Sequence, residues 1–527
     1  MRPGSNSIEK LKAERDGLDI LDDIEALARE HGGWESMDAA TRERLKWIGT
    51  FYRKPTPGRF MLRVRITGGQ ATSHQLRVLA AIGRSQGNGV LDITTRQQIE
   101  LRAIGIGSVP EILRTLEDID LSALQTGMDN VRNVNTCPLA GLTPAELFDA
   151  SSVARELTRL FLGNREFTNL PRKFNVTITG CRENCTPAET QDLAMVPAVR
   201  AADGRAGFNV LVGGKMGSGG MTVAQPLDAF VLPEDAAAFA AALILLYRDE
   251  GPRDQRSRAR FAFLIEEWGL QRLRAELERR LGRNLEPSQR DARLRSRNDH
   301  LGIQLQKQPG LCSVGVAVPA GRLDSNDLDE AARLADAYGS GCVRLTPDQN
   351  LIFPDVPEAS LPAFLSEPLL RRFPADPHPF VRGLVSCTGT DYCNLAQIET
   401  KALGRALAEQ LASRYSASMP LRMHWSGCPA GCGNHQAADI GFQGMKARID
   451  GEVVDAVSIF AGGRTGPDAQ AGEKVREVVP VSMLEEVVPL FIDNLEALKR
   501  KRRAGTGEEA VVMVPAKAGK EQEGFAG

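Results

Sequence analysis

At 527 residues the chain exceeds what one hydrophobic core supports and should divide into two or more domains. Hydrophobic residues make up 42% and charged residues 25%, ordinary globular values, and a net charge of -2 excludes a strongly basic nucleic-acid binder. The longest apolar run, Ala236 to Tyr247, has 12 residues and is too short to span a bilayer. Charge follows Met1 to Ser7 where a signal peptide would carry an apolar stretch. With nine cysteines, an odd count, this leads us to expect a cytoplasmic protein with no membrane partner.

Residues 1–56 read as an N-terminal helical arm. Leu18, Ile20, Leu21, Ile24 and Leu27 recur at helical spacing, and Trp34, Trp47 and Phe51 are expected to pack the arm on the body. From Gly58 the pattern alternates through Phe60 to Ile66 and ends at Gly68-Gly69. A helix from His74 to Ile82 and a strand from Val90 to Thr95 follow. This strand–helix–strand unit, 57–125, leads into a second α/β segment at 126–252. After the strand Phe208 to Val212, the glycine-rich run Gly213 to Gly220 reads as a flexible loop. Lys215 is misplaced in it for a P-loop.

Residues 253–299 read as a helical linker with Trp268, Leu270 and Leu273 on its packing face. It holds 13 arginines against 8 acids, a basic face that an acidic partner could use. The pattern then repeats about 250 residues on. Lys307 to Gly310 echoes Pro57-Gly58, Thr346 to Asn350 echoes Thr94 to Gln98, and Gly180 to Cys185 echoes Gly427 to Cys432. The second copy spans 300–370 and 371–502; Lys499 to Arg503 extends its last helix, and the polar tail 503–527 is expected to be disordered.

The densest chemistry lies in this second copy. Cys387 and Cys393 form C-x5-C, and Cys428 and Cys432 form C-x3-C about thirty-four residues later, among small residues that admit a bulky group. Four thiolates suit a [4Fe–4S] cluster. They also suit zinc, although the five-residue gap exceeds the usual spacing, so spacing favours iron–sulfur without closing the question. A disulfide framework fits a reducing compartment poorly. His424 and His435, beside the second pair, read as packing groups. Setting Cys137 against Cys393 aligns Val131 with Cys387. The first copy then retains Cys137, Cys181 and Cys185 but lacks a fourth ligand, which leaves a second cluster the lesser reading.

The paired cysteines, with Thr388-Gly389 before and Cys432-Gly433-Asn434-His435 after, resemble the signature of the nitrite and sulfite reductase family; the likeness runs from about Pro57 to Leu490. The resemblance implies an α+β fold of two pseudo-symmetric halves. Each would comprise a ferredoxin-like strand–helix–strand unit and a sirohaem-binding α/β unit. It also implies that Cys387, Cys393, Cys428 and Cys432 hold the [4Fe–4S] cluster, with Cys432 bridging to the sirohaem iron. Thr94-Thr95-Arg96-Gln97, Asp129 to Asn133 with Arg132, and Leu170-Pro171-Arg172-Lys173 resemble the family's anion-binding motifs. The resemblance therefore assigns Arg96, Arg132 and Lys173 to substrate and cofactor, and Arg172 to sirohaem carboxylates.

The implied activity is the six-electron reduction of nitrite to ammonia. The chain has no G-x-G-x-x-G fingerprint or flavin module, so electrons must come from a separate protein, and the resemblance implies that this donor is ferredoxin. Sulfite reduction uses the same parts and is the alternative. Family sulfite reductases carry a second lysine where this chain has Asn175, which points to nitrite. A cobalamin-ring relative has a shorter chain, and a non-catalytic electron carrier would not need converging cations. A monomer is expected.

Overall fold

The computed structural model describes residues 6–495 apart from 218, 417–419 and 493; the basic run 499–503 and the tail 503–527 lie outside the described residues. The arm is helical through Ser7–Glu14, Ile20–Glu30 and Ala39–Arg44. It ends, against the helical expectation, in a strand, Thr50–Tyr52, that pairs antiparallel with Phe60–Val64. Aromatic and β-branched residues such as Phe51 and Tyr52 favour that extended edge. Trp47 is fully buried, and its indole N–H donates to the Thr168 carbonyl at 3.0 Å, fixing the arm to the body.

Two five-stranded sheets form the base, and each borrows its edge strand from the other half. The first runs Thr50–Tyr52, Phe60–Val64, Ile99–Ile104, Val90–Ile93 and then Arg322–Asp324. The second runs Gly302–Leu305, Leu311–Val316, Leu351–Pro357, Cys342–Leu345 and then Gln70–Thr72. Each borrowed strand turns straight into a helix, Ser325–Tyr338 and Ser73–Gln86. Both helices start with a capping box, Asp324 with Asp327 and Thr72 with Gln75, which satisfies the first-turn amides. One hydrophobic core, including Leu62, Leu79, Leu328 and Phe353, runs through both sheets, so the halves share a core instead of merely touching.

Above this base stand two further sheets of matching topology. In the first half Val131–Asn135, Phe174–Ile178 and Leu193–Val199 are mutually parallel, and Ala206–Val212 and Gln225–Val231 return antiparallel. In the second half Leu384–Ser386, Met423–Ser426 and Ile440–Ile449 are parallel, followed by antiparallel Glu452–Ala461 and Glu473–Pro480. The cysteine-bearing loops leave the carboxyl ends of the parallel strands, where such sheets place their ligands, whereas Thr94 to Gln97 leaves the strand Val90–Ile93 of the first base sheet and Leu170 to Lys173 leads into Phe174–Ile178.

A pair of buried glutamines fixes the correspondence between halves. Gln97 donates to the carbonyls of Thr136 (3.1 Å) and Leu345 (2.8 Å), and its own carbonyl accepts from Thr136 N–H at 3.1 Å. Gln349 donates to the Ile93 carbonyl and accepts from Ser386 N–H, both at 2.8 Å. Both glutamines have positive φ, 54° and 68°. Thr136 therefore corresponds to Ser386, and Cys137 to Cys387. The alignment of Cys137 with Cys393 is corrected, because hydrogen-bond equivalence carries more information than one matched Cys-x-Leu-Ala string.

Two other expectations change. The linker is helical over Arg256–Arg258, a single 3-10 turn, and over Phe261–Leu281, and beyond it the chain is extended, with a short strand Arg290–Asp291. Four of its arginines are engaged within the fold: Arg256 pairs with Asp129, Arg260 with Asp192, Arg293 with Glu189 and Arg297 with Asp348. The glycine-rich loop after Ala206–Val212 is packed, not free. A side chain at Gly217 would meet the Ala430 carbonyl at 2.5 Å, and one at Gly431 would meet Met216 Cγ at 2.6 Å.

Candidate functional site

The loops Ser386 to Cys393 and Ser426 to Cys432 face each other at the carboxyl ends of adjacent parallel strands. Trp425, wholly buried and stacked on Phe442 with ring centroids 4.2 Å apart, anchors the second strand. Gly433 must be glycine, since a Cβ there would lie 2.0 Å from the Trp425 carbonyl. Ser426 Oγ accepts from Gly433 N–H at 3.1 Å and pairs with His435 Nδ1 at 3.0 Å, while His424 Nδ1 meets the Asn434 carbonyl at 3.2 Å. Both histidines are thus built into the shape of the loop. Burial pushes each down to about 4, leaving them neutral near pH 7.

The four cysteines come together. Gly427 N–H donates to Cys387 Sγ at 3.1 Å and Leu395 N–H to Cys393 Sγ at 3.4 Å, backbone donors of the kind that would stabilise thiolate ligands. Burial pushes the Cys428 thiol up to about 12, with Cys432, Cys393 and Cys387 adding repulsion. Burial and Cys432 raise Cys387 to about 11. Such crowding disfavours several thiolates together unless a cationic group neutralises them. Among the described residues these four do not gather within the 4.8 Å that would suit one small ion. The donor set therefore fits a cluster better than zinc. Cys432 is exposed where the other three are half-buried, so it faces the open side.

That side is met by the first half. Thr95 Oγ donates to the Cys432 carbonyl at 3.3 Å, which sets Arg96 beside the cluster loop. Arg96 Nε donates to Asn175 Oδ1 at 3.0 Å, and Asn175 N–H donates to Asp192, itself ion-paired to Arg260 at 2.8 Å. Burial drives Lys173 well below the usual lysine range. Arg96 and Arg260 add repulsion, the Cys432 sulfur opposes it, and Arg132 contributes further. Arg132 is also driven well down, by burial and then by Arg63 and Arg96; its Nη1 is buried without a hydrogen-bond partner. Arg172 stands 3.5 Å from Asp129, with a buried, unpartnered Nε. Arg96, Arg132 and Lys173 thus share one electrostatic neighbourhood with Cys432, and their mutual repulsion fits a cavity for a polyanionic cofactor and an anionic substrate.

Sequence reasoning missed several supports. Arg65 is buried and donates to the Arg132 carbonyl at 2.8 Å, holding that strand in place. Arg53 is half-buried near Glu100 and Cys393, and Arg102, fully buried, donates to Thr388 Oγ at 3.0 Å beside Cys387. Arg260 adds to the linker's basic excess in sequence, yet it is only 1% exposed. The usable signal was an arginine at a core-facing strand position, as at Arg102 in Ile99–Ile104.

The family described as Nitrite and sulphite reductase 4Fe-4S domain matches residues 127–285 and 378–505. The Nitrite/Sulfite reductase ferredoxin-like half domain matches 52–119 and 304–370. The chain belongs to the nitrite and sulphite reductase family. The four matched segments reproduce the duplicated halves seen in the sheets, and the family's [4Fe–4S] cluster and sirohaem are the cofactors of this fold. Similar relatives include the ferredoxin--nitrite reductase of Synechococcus elongatus, 46% identical over 94% of this chain and 98% of that one. The chloroplastic ferredoxin--nitrite reductase of Zea mays is 40% identical over 95% and 91%. The solved structure of Mycobacterium tuberculosis NirA protein superposes with a TM-score of 0.88 at 30% identity, covering 94% of each chain. Among the described residues no helix is long and apolar enough to cross a membrane.

Proposed function

We propose that this chain reduces nitrite to ammonia with electrons from reduced ferredoxin. When bound, the cluster supplies electrons singly and the sirohaem supplies the metal at which the substrate is reduced. Cys387, Cys393, Cys428 and Cys432 would hold the cluster, with Cys432 shared with the sirohaem. Arg96, Arg132 and Arg172 would take the macrocycle's carboxylates, and Arg96, Arg132, Lys173 and Asn175 would surround the anion. The observation carrying this reading is the convergence of Arg96, Arg132 and Lys173 beside Cys432, which an electron carrier would have no use for. Lys173 has its proton loosened by burial and by Arg96, so it can donate at Nζ as oxygen leaves the substrate and regain the proton afterwards. The ferredoxin--nitrite reductases it resembles along nearly its whole length support the same donor and substrate.

The test is anaerobic purification, an optical spectrum, and parallel steady-state assays on nitrite and sulfite. A higher kcat/KM for nitrite is expected, and a preference for sulfite would overturn the substrate assignment while leaving the cofactors intact.

A further inference from the structure

The first half holds a second convergence of cysteines, remote in sequence from the cluster loops and absent from the function just described. Cys137 follows the strand Val131–Asn135, Cys181 and Cys185 follow Phe174–Ile178, and His300 lies where the chain enters the second half. All four side chains are buried, and their ligating atoms lie within 4.8 Å of one another. Cys137 Sγ and His300 Nε2 are 3.5 Å apart, and the cysteines are free thiols.

From these residues we infer a tetrahedral zinc site made by Cys137, Cys181, Cys185 and His300. Zinc–sulfur bonds of about 2.3 Å and a zinc–nitrogen bond of about 2.0 Å at tetrahedral angles set sulfur and nitrogen roughly 3.5 Å apart, the separation observed. A [4Fe–4S] cube needs its ligating sulfurs spread wider than this group allows. Three thiolates and one imidazole also form one of the usual closed structural sets for zinc.

The surroundings are those of a built site. Leu139, Ala140, Leu142 and Ile352 enclose the sulfurs in a small apolar cluster. With Nε2 turned to the metal, His300 Nδ1 faces Glu183 Oε2 at 3.9 Å, the carboxylate that would orient the ring. His300 is held at φ 60° and its N–H donates to Asn298 Oδ1 at 2.9 Å, so backbone strain is accepted to aim this ring inward. The linker is laced to the same loop: Leu294 N–H donates to the Arg182 carbonyl at 2.7 Å and Asn298 N–H to the Glu183 carbonyl at 3.0 Å.

The duplication explains how such a site arises. Cys137, Cys181 and Cys185 occupy the places of Cys387, Cys428 and Cys432, and Cys393 has no counterpart. With the fourth sulfur gone and a histidine supplied by the linker, a cluster cradle closes down to single-ion size. The metal would then clip the linker onto the first half and set where the second half begins.

The test is elemental analysis of anaerobically purified holoenzyme after exhaustive treatment with a weak chelator, with zinc-edge X-ray absorption on the same sample. About one zinc per chain is expected in addition to the iron, with three sulfurs near 2.3 Å and one nitrogen near 2.0 Å. His300→Asn, which tolerates the positive φ, should lose most of the zinc while keeping its iron and its visible spectrum, and should unfold at lower temperature. Full iron without zinc in the wild type overturns the assignment. So do a zinc shell of oxygen and nitrogen alone, extra iron in zinc's place, or zinc retained by His300→Asn. None of these results depends on which anion is reduced.

Discussion

The Arg96 guanidinium donates from Nε to Asn175 Oδ1 at 3.0 Å. Arginine has no acceptor, so this bond fixes which way the amide points and leaves its NH2 group for another acceptor. Replacing the amide by a lysine would set a cation against Arg96 and lower the proton affinity of Lys173 further. Asn175→Lys should therefore reduce kcat/KM for nitrite by roughly tenfold or more, and raise it for the more highly charged sulfite. Parallel assays on both anions check this; a variant with unchanged preference would show that Asn175 does not sort substrates.

Asp129 is fully buried and collects Arg256 at 2.8 Å, Lys12 at 3.4 Å and Arg172 at 3.5 Å. It joins the N-terminal arm, the linker and the anion-binding segment at one carboxylate. Asp129→Asn leaves three cations facing a neutral amide, and removing one partner of a buried network costs about 3–5 kcal/mol. The expected result is a thermal midpoint several degrees lower, with sirohaem retained at permissive temperature. A midpoint within error of wild type would mean the network contributes nothing net.

Ferredoxin docking on the basic linker face is expected to be electrostatic and to use the arginines that the fold leaves exposed. Arg256, Arg260, Arg293 and Arg297 are engaged inside the fold, whereas Arg272, Arg290 and Arg295 remain exposed. Charge-steered encounters weaken once salt brings the screening length to about 8 Å or less. Ferredoxin-driven turnover should fall as salt is added, and fall less steeply in the Arg290→Glu, Arg295→Glu variant, while turnover with a small dye reductant stays nearly level. Equal salt dependence for both reductants would remove this face from docking.

Much of the site was legible because its residues are contiguous: the cysteine pairs, Thr94 to Gln97 and Leu170 to Asn175 each carry their chemistry on one short loop. The duplication was legible for the same reason. What could not be read was anything set by long-range pairing. The exchange of Gln70–Thr72 and Arg322–Asp324 between sheets leaves no local mark, since an edge strand of three residues looks alike in either sheet. The burial of Arg102 and Arg260 depends on carboxylates 10 and 68 residues away. The partner of Cys137 across the halves is hidden in the sequence, because the Cys-x-Leu-Ala string shared with Cys393 is local whereas the Gln97 and Gln349 contacts that pair Cys137 with Cys387 exist only in the fold. His300, which completes the three-cysteine group, sits 163 residues from Cys137.

His424 and His435 are buried neutral, each held at about 4 against about 6.5 for a free imidazole. Above pH 6.5 both are neutral folded or unfolded and pH has no effect through them. Between pH 6.5 and 4 the unfolded chain binds protons that the fold refuses, so stability falls as pH falls, by at most about 1.4 kcal/mol per unit for each histidine. His435→Gln keeps a polar group for Ser426 and removes the titration. The thermal midpoint of the variant should decline less between pH 7 and pH 5 than that of the wild type. Parallel decline would assign the acid sensitivity elsewhere.

The cluster assignment has the sharpest test, because the two halves offer matched controls. Cys428 is one of the four cysteines proposed to hold the cluster, and Cys428→Ser should abolish the cluster's visible absorption and most of its iron. Cys181 stands at the equivalent place in the first half, within the compact three-cysteine and histidine group. Cys181→Ala with Cys185→Ala should leave the iron content and nitrite turnover near wild type, because neither sulfur faces the cations at Arg96 and Lys173. The pairing of the two variants separates a wrong half from a general folding defect. Iron lost only in the double variant would move the cluster to the first half, and iron lost in both would mark the cysteines as structural.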